Sequence, residues 1–518
     1  MSEIVDLFVP LEALDEPLPS LVARALGRTE ARLGLVRVVR RSLDARKDRR
    51  LGYRMRVEVA AAGERLAAVR ERSARPSWPV GVAVPRVVIV GSGPAGSWAA
   101  WRLAEAGVPS TILERGKPVA PRRRDLAGLH RGHLNPESNY CFGEGGAGTY
   151  SDGKLYTRSK ERGGVADILA DLVDLGAPAD IQIEARPHIG SNRLPRLLEA
   201  LRARLQAAGV EYHFECRFTG LRVEQGRIRA VRTSAGEIPA DLVVLAPGHS
   251  ARDVYLWAET ARLALQRKDI AVGVRLEHPQ SVIDRLQYGR AAGDARLPPA
   301  FYELRASGAG RSVYSFCMCP GGWIVPAATE AEGLVVNGMS LAKRNSPLAN
   351  AAVVVPVQAS DFGPDAKGFL AGIDFQRRIE EAAFERGGGG FRAPAQRLVD
   401  FLARRPGDQL PKSSYRPGVQ HAGLDDLLPA FITDALREGL SAIGRRWPGF
   451  VHSEALLVAA ETRTSAPLRI LRDSTTLESP ALAGLYPAGE GAGYAGGIVS
   501  SALDGARVAG AIIGRAAG

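Results

Sequence analysis

Three glycines at positions 91, 93 and 96 follow a continuous β-branched stretch and open a helical one. In such a GxGxxG turn the first glycine permits a tight bend, the second lets the backbone approach a pyrophosphate, and the third lets the helix pack closely on the sheet. Unpaired N–H groups at the start of the helix attract anions. The pattern predicts a dinucleotide site that includes Pro94 and Ala95 of the same turn. A glycine turn without a ligand is the alternative.

An acidic residue lies at the end of the next predicted strand, at the spacing expected for a ribose contact. Glu114 occupies this position, and Arg115 follows it. A carboxylate accepts hydrogen bonds from ribose hydroxyls and repels a 2′-phosphate. The sequence therefore predicts FAD or NAD rather than NADP, with both residues at the site.

A second cluster of glycines occupies residues 142–155. Five glycines in a dozen residues indicate close approach of the backbone to something flat or anionic. We assign this loop to the isoalloxazine and pyrophosphate of FAD, with a surface loop as the alternative. The predicted contacts are Gly145, Gly146, Ala147, Gly148, Thr149, Ser151, Asp152, Gly153 and Lys154.

Two later turns favour FAD over NAD. A strand ending near residue 248 introduces Gly248, His249, Ser250 and Arg252. Near the C-terminus, Glu490 occupies the position of an acid that binds a ribityl chain. The helix beginning near Gly497 would stabilise negative charge at flavin N1 and the C2 carbonyl. The predicted contacts of this segment are Gly489, Glu490, Gly493, Tyr494, Ala495, Gly496, Gly497 and Ile498.

Three side chains beside the predicted flavin are candidates for catalysis. Lys154 could support flavin N5 or bind a substrate carboxylate, and a phosphate contact or a structural ion pair is equally open. Arg463 could bind an anionic substrate, or form a structural pair with Glu461. Tyr494 could cap the flavin ring.

The spacing of Cys317 and Cys319 on a predicted strand places both sulfurs on one face. A disulfide between them would be strained and easily reduced, which suits a redox relay. We favour packing next to the substrate pocket, and we interpret Cys141 in the same way. No further Cys or His has the spacing of a zinc site, so no metal is predicted.

The elements that must position these residues follow from the hydrophobic pattern. A buried strand at 86–90, a helix ending near Ala106 and a strand at 108–114 form a βαβ unit. Residues 242–248 form another buried strand, residues 265–450 mix strands and helices, and an apolar helix closes the chain near Ile513.

The chain has 518 residues and a net charge of +12, with the charge concentrated near its start. Residues 24–56 hold 12 basic and 3 acidic side chains. A helix at 18–35, strands at 36–44 and 53–59 with a charged turn at 46–50, and a linker at 75–81 predict a small separate module. Its charge is either a solvated face or a docking patch for an anionic partner.

Composition excludes several classes of protein. Hydrophobic residues make up 45% and charged residues 24%, which argues against a disordered or disulfide-scaffold chain. The acidic first sixteen residues do not form a signal peptide, and no apolar stretch approaches the roughly 20 residues needed to span a bilayer. We expect a cytoplasmic protein with no membrane partner.

These segments together resemble one family. The chain is similar to uncharacterised bacterial FAD-dependent dehydrogenases, a branch of the glutathione-reductase-like NAD(P)/FAD-dependent oxidoreductases. Beyond the loops above, the matching stretches are residues 41–47, 188–194, 271–279, 287–289, 316–322, 337–340 and 461–465. Ser191 and Asn192 depart from an expected Thr-Asp. The resemblance implies an FAD domain built from separated segments and an inserted substrate domain.

The predicted fold is therefore α/β. It has a basic N-terminal α+β module (1–84), a Rossmann-like FAD-binding domain in two parts (85–264 and 451–518) and an inserted α+β substrate domain (265–450).

The predicted function is an FAD-dependent oxidoreductase, a dehydrogenase or reductase that moves a hydride between flavin N5 and a small anionic organic substrate. Only the GxGxxG turn at residues 91–96 lies within a predicted βαβ unit, so no second Rossmann domain for NAD(P)H is predicted, and NAD(P)H would be a transient reductant. The alternatives are a flavin monooxygenase and a flavoprotein acting on RNA through the basic module. That module could also bind a redox partner, but it has few aromatics for stacking bases, so nucleic acid is not expected.

Overall fold

A computed structural model describes residues 2–64, 66, 77–157, 162–363, 368–407 and 409–517. The first two residues of the predicted linker, 75 and 76, lie outside this described part. Residues 77–81 lie in non-regular structure and a turn, as the linker prediction requires.

The N-terminal module is a three-stranded antiparallel sheet with one helix. Its elements are β1 (Glu3–Pro10), α1 (Leu18–Leu26), β2 (Leu33–Asp44) and β3 (Gly52–Ala61), and the strand order is β1-β3-β2. The predicted helix at 18–35 was too long. Gly27 ends α1 in the left-handed conformation, with φ +62°, which is the common glycine stop of a helix.

A five-stranded parallel sheet follows and contains the predicted βαβ unit. Its first elements are β4 (Val87–Val90), α2 (Pro94–Glu105), β5 (Ser110–Leu113), α3 (Val119–Leu129), α4 (Arg162–Asp174), α5 (Leu194–Ala207) and β6 (Glu211–His213). A small antiparallel sheet and the next parallel strand come after them: β7 (Phe218–Glu224), β8 (Arg227–Thr233), β9 (Gly236–Pro239), β10 (Leu242–Leu245) and then α6 (Arg252–Thr260).

The middle of the chain builds a larger sheet. The elements of this part are β11 (Leu265–Arg267), β12 (Ile270–Pro279), α7 (Gln280–Tyr288), β13 (Arg305–Gly308), β14 (Arg311–Cys319), β15 (Gly322–Pro326), β16 (Val336–Ser340), β17 (Leu348–Val357), α8 (Ala371–Arg386), β18 (Ala393–Arg397), α9 (Leu398–Leu402), β19 (Val419–His421), α10 (Ala430–Arg446) and β20 (Leu456–Glu461). The chain ends with β21 (Leu468–Ile470), β22 (Leu485–Pro487) and α11 (Ile498–Ala517). Strands β15 and β16 pair separately from the larger sheet, and β11 pairs with β21.

The parallel sheet has the order β6-β5-β4-β10-β22. Numbered along the chain, that order is 3-2-1-4-5, so the direction of winding reverses between β4 and β10. In open parallel sheets a ligand binds outside the carboxyl ends of the strands at such a reversal. The fold therefore predicts a ligand site among the loops that follow β4, β5, β10 and β22.

Helices α2 and α11 cover one face of this sheet and pack closely together. A Cβ added at Gly505 of α11 would lie 1.9 Å from the backbone oxygen of Ala95. Glycine at that position lets the two helices approach until their backbones are nearly in contact. This contact ties the C-terminal segment to the GxGxxG turn, although about 400 residues separate them in sequence.

The larger sheet has seven strands in the order β13-β14-β17-β12-β20-β18-β19. Strands β12 and β17 pair along ten residues and are buried on both faces. Strand β20 pairs with β12 and β18, so this sheet extends beyond the predicted boundary at residue 450.

The basic residues of the N-terminal module are largely compensated by acids. Of the 12 cations between residues 24 and 56, eight arginines form ion pairs: Arg24, Arg28, Arg37, Arg41, Arg46, Arg50, Arg54 and Arg56. The Arg41 pair reaches Glu184, outside the module, and the Arg41 backbone bonds to Ile183 and Ala185 at 2.7 and 2.8 Å. The module is thus attached to the remainder of the chain by a short stretch of backbone pairing.

Within the residues that the structure describes, no helix combines the length and apolar character needed to cross a membrane.

Candidate flavin site and the cavity beside it

A large cavity lies at the carboxyl ends of the parallel strands. Its volume is about 2130 Å³, whereas pockets for drug-sized ligands measure roughly 300–1,000 Å³. The cavity is lined by the loops that follow β4, β5, β10 and β22, by the glycine-rich loop 142–155, and by β14 of the larger sheet. It is large enough for a dinucleotide and a second molecule.

The GxGxxG turn forms one end of this cavity. Gly91 has φ +101°, and a Cβ there would lie 2.2 Å from the Ala246 oxygen, so the turn and the β10 loop approach closely. A Cβ on Gly96 would lie 2.0 Å from the Gly91 oxygen. Gly93 differs, because nothing lies within 4 Å of its virtual Cβ and the residue faces the cavity. A dinucleotide pyrophosphate fits beside this open glycine at the start of α2.

Glu114 joins the two glycine-rich segments. Its carboxylate accepts hydrogen bonds from the Ser92 amide at 3.1 Å and hydroxyl at 2.6 Å, and from the Gly116 and Gly143 amides at 2.9 Å. The carboxylate also lines the cavity, where the ribose contact was predicted.

Arg122 of α3 organises the glycine-rich loop from within. Its fully buried guanidinium donates to the carbonyl oxygens of Asn139, Tyr140, Glu144 and Gly146 at 2.8 to 3.1 Å, and to the Thr149 hydroxyl at 3.2 Å. Sequence reasoning missed Arg122, because three consecutive arginines on a helix resemble a solvated face. A loop whose carbonyls converge on one cation has a defined shape before any ligand binds.

The C-terminal loop is fixed in a comparable way. The Gly489 amide donates to Asp504 of α11 at 2.7 Å, and Asp504 is ion-paired with Arg472. Glu490 lines the cavity, 4.0 Å from His249. Burial raises the pKa of Glu490 to about 7 although Lys268 opposes the shift, and burial lowers the pKa of His249 to about 4. His249 is therefore neutral at neutral pH, and Glu490 gains or loses its proton close to neutral pH.

Most of the predicted cofactor contacts line this one cavity. They are Gly91, Gly93, Pro94, Ala95, Glu114, Arg115, Gly146, Ala147, Gly148, Ser151, Asp152, Gly153, Lys154, Gly248, His249, Ser250, Gly489, Glu490, Gly493, Tyr494, Ala495, Gly496, Gly497 and Ile498. Gly96, Gly145 and Thr149 lie behind the lining and shape the turns.

Arg252 was predicted wrongly as a cofactor contact. It is not among the lining residues, and its guanidinium binds Glu330 at 2.6 Å and Glu380 at 3.0 Å. The helix α6 begins at Arg252, and its side chain is directed into the contact with α8 rather than toward the cavity. Adjacency to a glycine turn in sequence did not determine the direction of the side chain.

Lys154 crosses from the glycine-rich loop to the larger sheet. Its backbone is held by pairing of residues 153–155 with residues 187–189. Its ammonium lies 3.3 Å from an Asp152 oxygen and 3.6 Å from the sulfurs of both Cys317 and Cys319. Burial opposes its charge, but Asp152 and the two sulfurs raise the pKa of Lys154 above its ordinary value. Lys154 is thus a permanent cation on the cavity wall.

Two further arginines complete that wall. Arg344 binds Asp152 at 2.7 Å, so one carboxylate is shared by two cations. Arg275 lies behind the sulfurs. It binds Glu461 at 3.1 Å and the Cys317 carbonyl at 2.7 Å, and it donates to the Cys319 sulfur at 3.5 Å. Burial raises the pKa of Glu461 to about 7 despite the opposing charge of Arg275.

Arg463 has a different partner from the one predicted. Its guanidinium binds both oxygens of Glu380, at 3.0 and 2.7 Å, and the Thr329 hydroxyl at 2.6 Å. The predicted structural pair with Glu461 is wrong, because Glu461 belongs to Arg275. Arg463 still borders the cavity, but its donors face the interior of the protein.

Tyr494 lies between two arginines at the cavity edge. The guanidinium carbons of Arg472 and Arg469 are 3.8 and 5.2 Å from its ring centroid. Its hydroxyl accepts a hydrogen bond from the Arg472 amide at 3.0 Å. The structure therefore orients the ring firmly beside the predicted flavin segment.

The N-terminal module contributes to the same cavity. Arg41, Ser42, Leu43 and Tyr53 line its outer part, and the Tyr53 hydroxyl donates to the Arg296 carbonyl at 3.2 Å. Among the described residues, no group of three or more Cys, His, Asp or Glu is arranged to hold a metal ion.

Comparison with known protein families bears on this site directly. Residues 85–138 match the family described as FAD binding domain, residues 190–308 match FAD dependent oxidoreductase, and residues 269–464 match FAD-dependent protein, C-terminal domain-like. Residues 1–60 match a domain of unknown function.

An uncharacterized protein of Clostridium beijerinckii is 37% identical over 521 residues, which cover 97% of each chain. Solved structures are more distant. A mutant of the halogenase PltM in complex with FAD is 10% identical, with 84% of this chain and 70% of that chain covered and a TM-score of 0.39. The glycine oxidase of Bacillus cereus is 12% identical, with 83% and 95% covered and a TM-score of 0.31.

The family matches define the chain as an FAD-dependent oxidoreductase, with FAD as its cofactor. The residues around the cavity fit that cofactor, since an open glycine faces the start of a helix and two shaped glycine loops surround the remaining space. The chain belongs to the same family as the Clostridium beijerinckii relative.

Proposed function

We propose that the protein moves a hydride between FAD and a small organic anion, which binds in the cavity beside Lys154. The observation that carries this proposal is the position of the Lys154 ammonium. It extends from the loop assigned to FAD, faces the cavity, and stays charged beside Asp152. A substrate carboxylate bound there would lie next to the predicted flavin loop.

FAD, when bound, supplies two-electron chemistry at its N5 atom. Lys154 would orient the substrate by a charge-assisted hydrogen bond. Asp152 and Arg344 keep the ammonium in place, because the carboxylate is itself held by Arg344 and by the Ser340 hydroxyl. Preorganised charges of this kind stabilise an anion without rearrangement during the reaction.

Oxidation of an alcohol or amine also releases a proton, and Glu461 is the proposed acceptor. It lines the cavity, and burial raises its pKa to about 7, so it can gain or lose a proton near neutral pH. Arg275 fixes the orientation of the carboxylate.

The finer architecture forms part of the proposal. Residues 85–264 and the segment after β20 would form a discontinuous FAD domain of the glutathione-reductase-like branch. The predicted inserted substrate domain, 265–450, would be extended to include β20. NAD(P)H would act only as a transient reductant. The ion-paired arginines of the N-terminal module offer few unpaired cations to an RNA phosphate backbone, so they do not favour the RNA-directed alternative.

Anaerobic reduction of the holoenzyme tests this function. The flavin absorbance is followed with NADH, NADPH and a panel of 2-hydroxy and 2-amino carboxylic acids, each beside its neutral amide. We expect bleaching by a carboxylic acid and little by its amide. In Lys154→Met the half-saturating concentration should rise roughly 10- to 100-fold, which corresponds to a lost charge-assisted hydrogen bond.

The charge-conserving variant Lys154→Arg provides the control and should retain most of the affinity. If acid and amide reduce the flavin equally well, or if Lys154→Met behaves as the parent enzyme does, the assignment of Lys154 is wrong.

A further inference from the structure

The strand that carries Cys317 and Cys319 departs from regular geometry at these two residues. Against β17, Phe316 pairs with Ala352 and Cys319 pairs with Asn350, so a bulge separates the two pairs. Cys317 has φ +49°, in the left-handed region that residues other than glycine seldom occupy. Bulges and strained residues of this kind concentrate next to functional sites, where they redirect a side chain.

The two sulfurs share one cationic environment. The Lys154 ammonium lies 3.6 Å from each sulfur, and Arg275 donates to the Cys319 sulfur at 3.5 Å. Cys317 is half-buried and lines the cavity, whereas Cys319 lies fully buried behind it. This arrangement gives an accessible first sulfur and a protected second one.

The electrostatics favour a thiolate at Cys317. A hydrogen bond from the Cys319 thiol, assisted by the charges of Lys154 and Arg275, holds the pKa of Cys317 well below its usual range despite burial. The coupled Cys319 thiol correspondingly has a raised pKa. A thiolate beside a thiol is the starting state for exchange with a disulfide.

We propose that Cys317 and Cys319 form a redox-active dithiol on the cavity wall, which exchanges with low-molecular-weight disulfides. The inference is independent of the hydride acceptor proposed above. It concerns a second, thiol-based reaction of the same cavity.

The exchange conserves atoms and electrons in two steps. The Cys317 thiolate attacks one sulfur of the small disulfide, a mixed disulfide forms, and the first small thiolate leaves with the electron pair of the broken bond. The Cys319 thiol then gives its proton to that thiolate, and its sulfur attacks Cys317 and expels the second thiolate, which takes a proton from solvent. The protein dithiol is oxidised by two electrons to a disulfide, and the small disulfide is reduced to two thiols.

Geometry allows this bond but makes it strained. The Lys154 ammonium lies 3.6 Å from each sulfur, which brings both sulfurs to the same point of the wall. Cys317 has φ +49° at the bulge, so closing a disulfide between residues only two apart would distort the local backbone. A strained disulfide is readily reduced. The pair is therefore expected to cycle in a thiol buffer rather than to remain oxidised.

The test uses the full-length holoenzyme in buffers of graded glutathione disulfide to glutathione ratio. Free thiols are blocked with N-ethylmaleimide, and peptides are identified by mass spectrometry. We expect the peptide that contains both cysteines to lose two hydrogens as the ratio rises and to regain them when the ratio is reversed. Cys141, which also lines the cavity, is the internal control for access and should react at least tenfold more slowly.

Two variants distinguish thiol–disulfide exchange by the cysteine pair from mere accessibility of the Cys317 sulfur to solvent. Cys319→Ser should accumulate a mixed disulfide with glutathione at Cys317, because the resolving sulfur is absent. Lys154→Met should slow alkylation of Cys317 at pH 7 by roughly tenfold, and Lys154→Arg should not.

The proposal is overturned if the peptide stays reduced at every ratio, if Cys141 reacts as fast as Cys317, or if Cys319→Ser forms no adduct. Should Lys154→Met fail to fold, the pH profile of Cys317 alkylation in the parent protein decides the question. A midpoint well below that of an ordinary thiol supports the proposal, and an ordinary midpoint contradicts it.

Discussion

The two sides of the cavity are built by different means. On the side of the parallel sheet, backbone amides and glycines form most of the surface, and the Arg122 side chain acts from behind it. On the side of the larger sheet, charged side chains and the Cys317 sulfur form the surface itself. The side of the parallel sheet is suited to hold a cofactor that stays bound from one turnover to the next. The side of the larger sheet is suited to distinguish one substrate from another.

This difference implies different responses to mutation. A surface formed by backbone groups binds FAD only while the loops keep their shape. Substitutions of the side chains behind it should therefore lower folding stability and FAD affinity together. In a surface formed by side chains, each group can be removed without moving the others. Substitutions there should therefore alter the reaction while FAD stays bound.

The largest effect is expected at Arg122. Arg122→Met leaves several buried carbonyl oxygens without a donor, and we expect a loss of about 3–5 kcal/mol in the free energy of unfolding, with FAD affinity lost as well. Chemical denaturation of the holoenzyme measures this change in the free energy of unfolding. Arg124→Met is the matched control, because Arg124 is exposed on the same helix, and its effect should stay within about 0.5 kcal/mol. Equal effects of the two variants would mean that Arg122 does not organise the loop.

Gly93→Ala should lower FAD affinity and leave folding stability nearly unchanged. A methyl group at this position meets no protein atom and φ is −68°, so folding should be nearly unchanged. The methyl would instead occupy the approach to the pyrophosphate, and FAD affinity should fall at least roughly tenfold, a loss of about 1.4 kcal/mol.

Titration of the apoprotein with FAD, followed by flavin fluorescence, measures the Gly93→Ala effect. Gly510→Ala, an equally uncrowded glycine within α11, is the control and should raise stability by about 1 kcal/mol without changing affinity. Unchanged FAD binding in Gly93→Ala would place the pyrophosphate elsewhere.

Two buried acids, one on each side of the cavity, should shift the pH dependence of stability in the same direction when each is replaced by glutamine. Burial raises the pKa of Glu490 to about 7 in the folded protein, so its contribution to stability is full below the unfolded pKa of roughly 4.3 and declines as pH rises through 7. Glu490→Gln should therefore stabilise the apoprotein at pH 8, by about 1–3 kcal/mol, and have little effect at pH 4. Burial also raises the pKa of Glu461 to about 7, so Glu461→Gln should likewise be more favourable at pH 8 than at pH 4, with a smaller gain because the variant removes the carboxylate that pairs with Arg275.

Thermal unfolding of both variants between pH 4 and pH 8 compares the two acids. If Glu490→Gln destabilises more at pH 8 than at pH 4, the charged carboxylate is stabilised in the folded protein, and burial does not raise the pKa of Glu490.

The smallest effect is expected at Tyr494. Tyr494→Phe removes the hydroxyl that accepts from the Arg472 amide but keeps the ring between its two arginines. Stability should fall by about 1 kcal/mol, and FAD affinity should change less than about threefold. A much larger loss of FAD would show that the hydroxyl itself contacts the cofactor.

The two sides also differ in how far sequence alone predicts them. The side of the parallel sheet could be predicted because its chemistry lies in contiguous motifs. Gly91, Gly93 and Glu114 belong to one βαβ unit, and φ values above zero require glycine wherever they occur in the turn. The βαβ unit, the strand at 242–248 and the final helix followed from the hydrophobic pattern, whereas the helix predicted at 18–35 is shortened because Gly27 ends α1.

The contacts within the opposite wall could not be predicted, because they join distant segments. Lys154 meets Cys317 across 163 residues, and Arg275 meets Glu461 across 186. No periodicity links such residues, and nothing local reveals which way a side chain points. For the same reason Arg252 and Arg463 were assigned to the cavity or to a wrong partner, although both converge on Glu380 in α8.

A crystal structure of the holoenzyme is the most direct test of the central claim, that one cavity places FAD between these two sides. We predict electron density for the pyrophosphate beside Gly93, and for the flavin ring between the glycine-rich loop and the C-terminal loop, with the Lys154 ammonium and the Cys317 sulfur on the substrate side of the ring. A ring bound away from this wall, or a cofactor that fills the cavity and leaves no space beside Lys154, would contradict that claim.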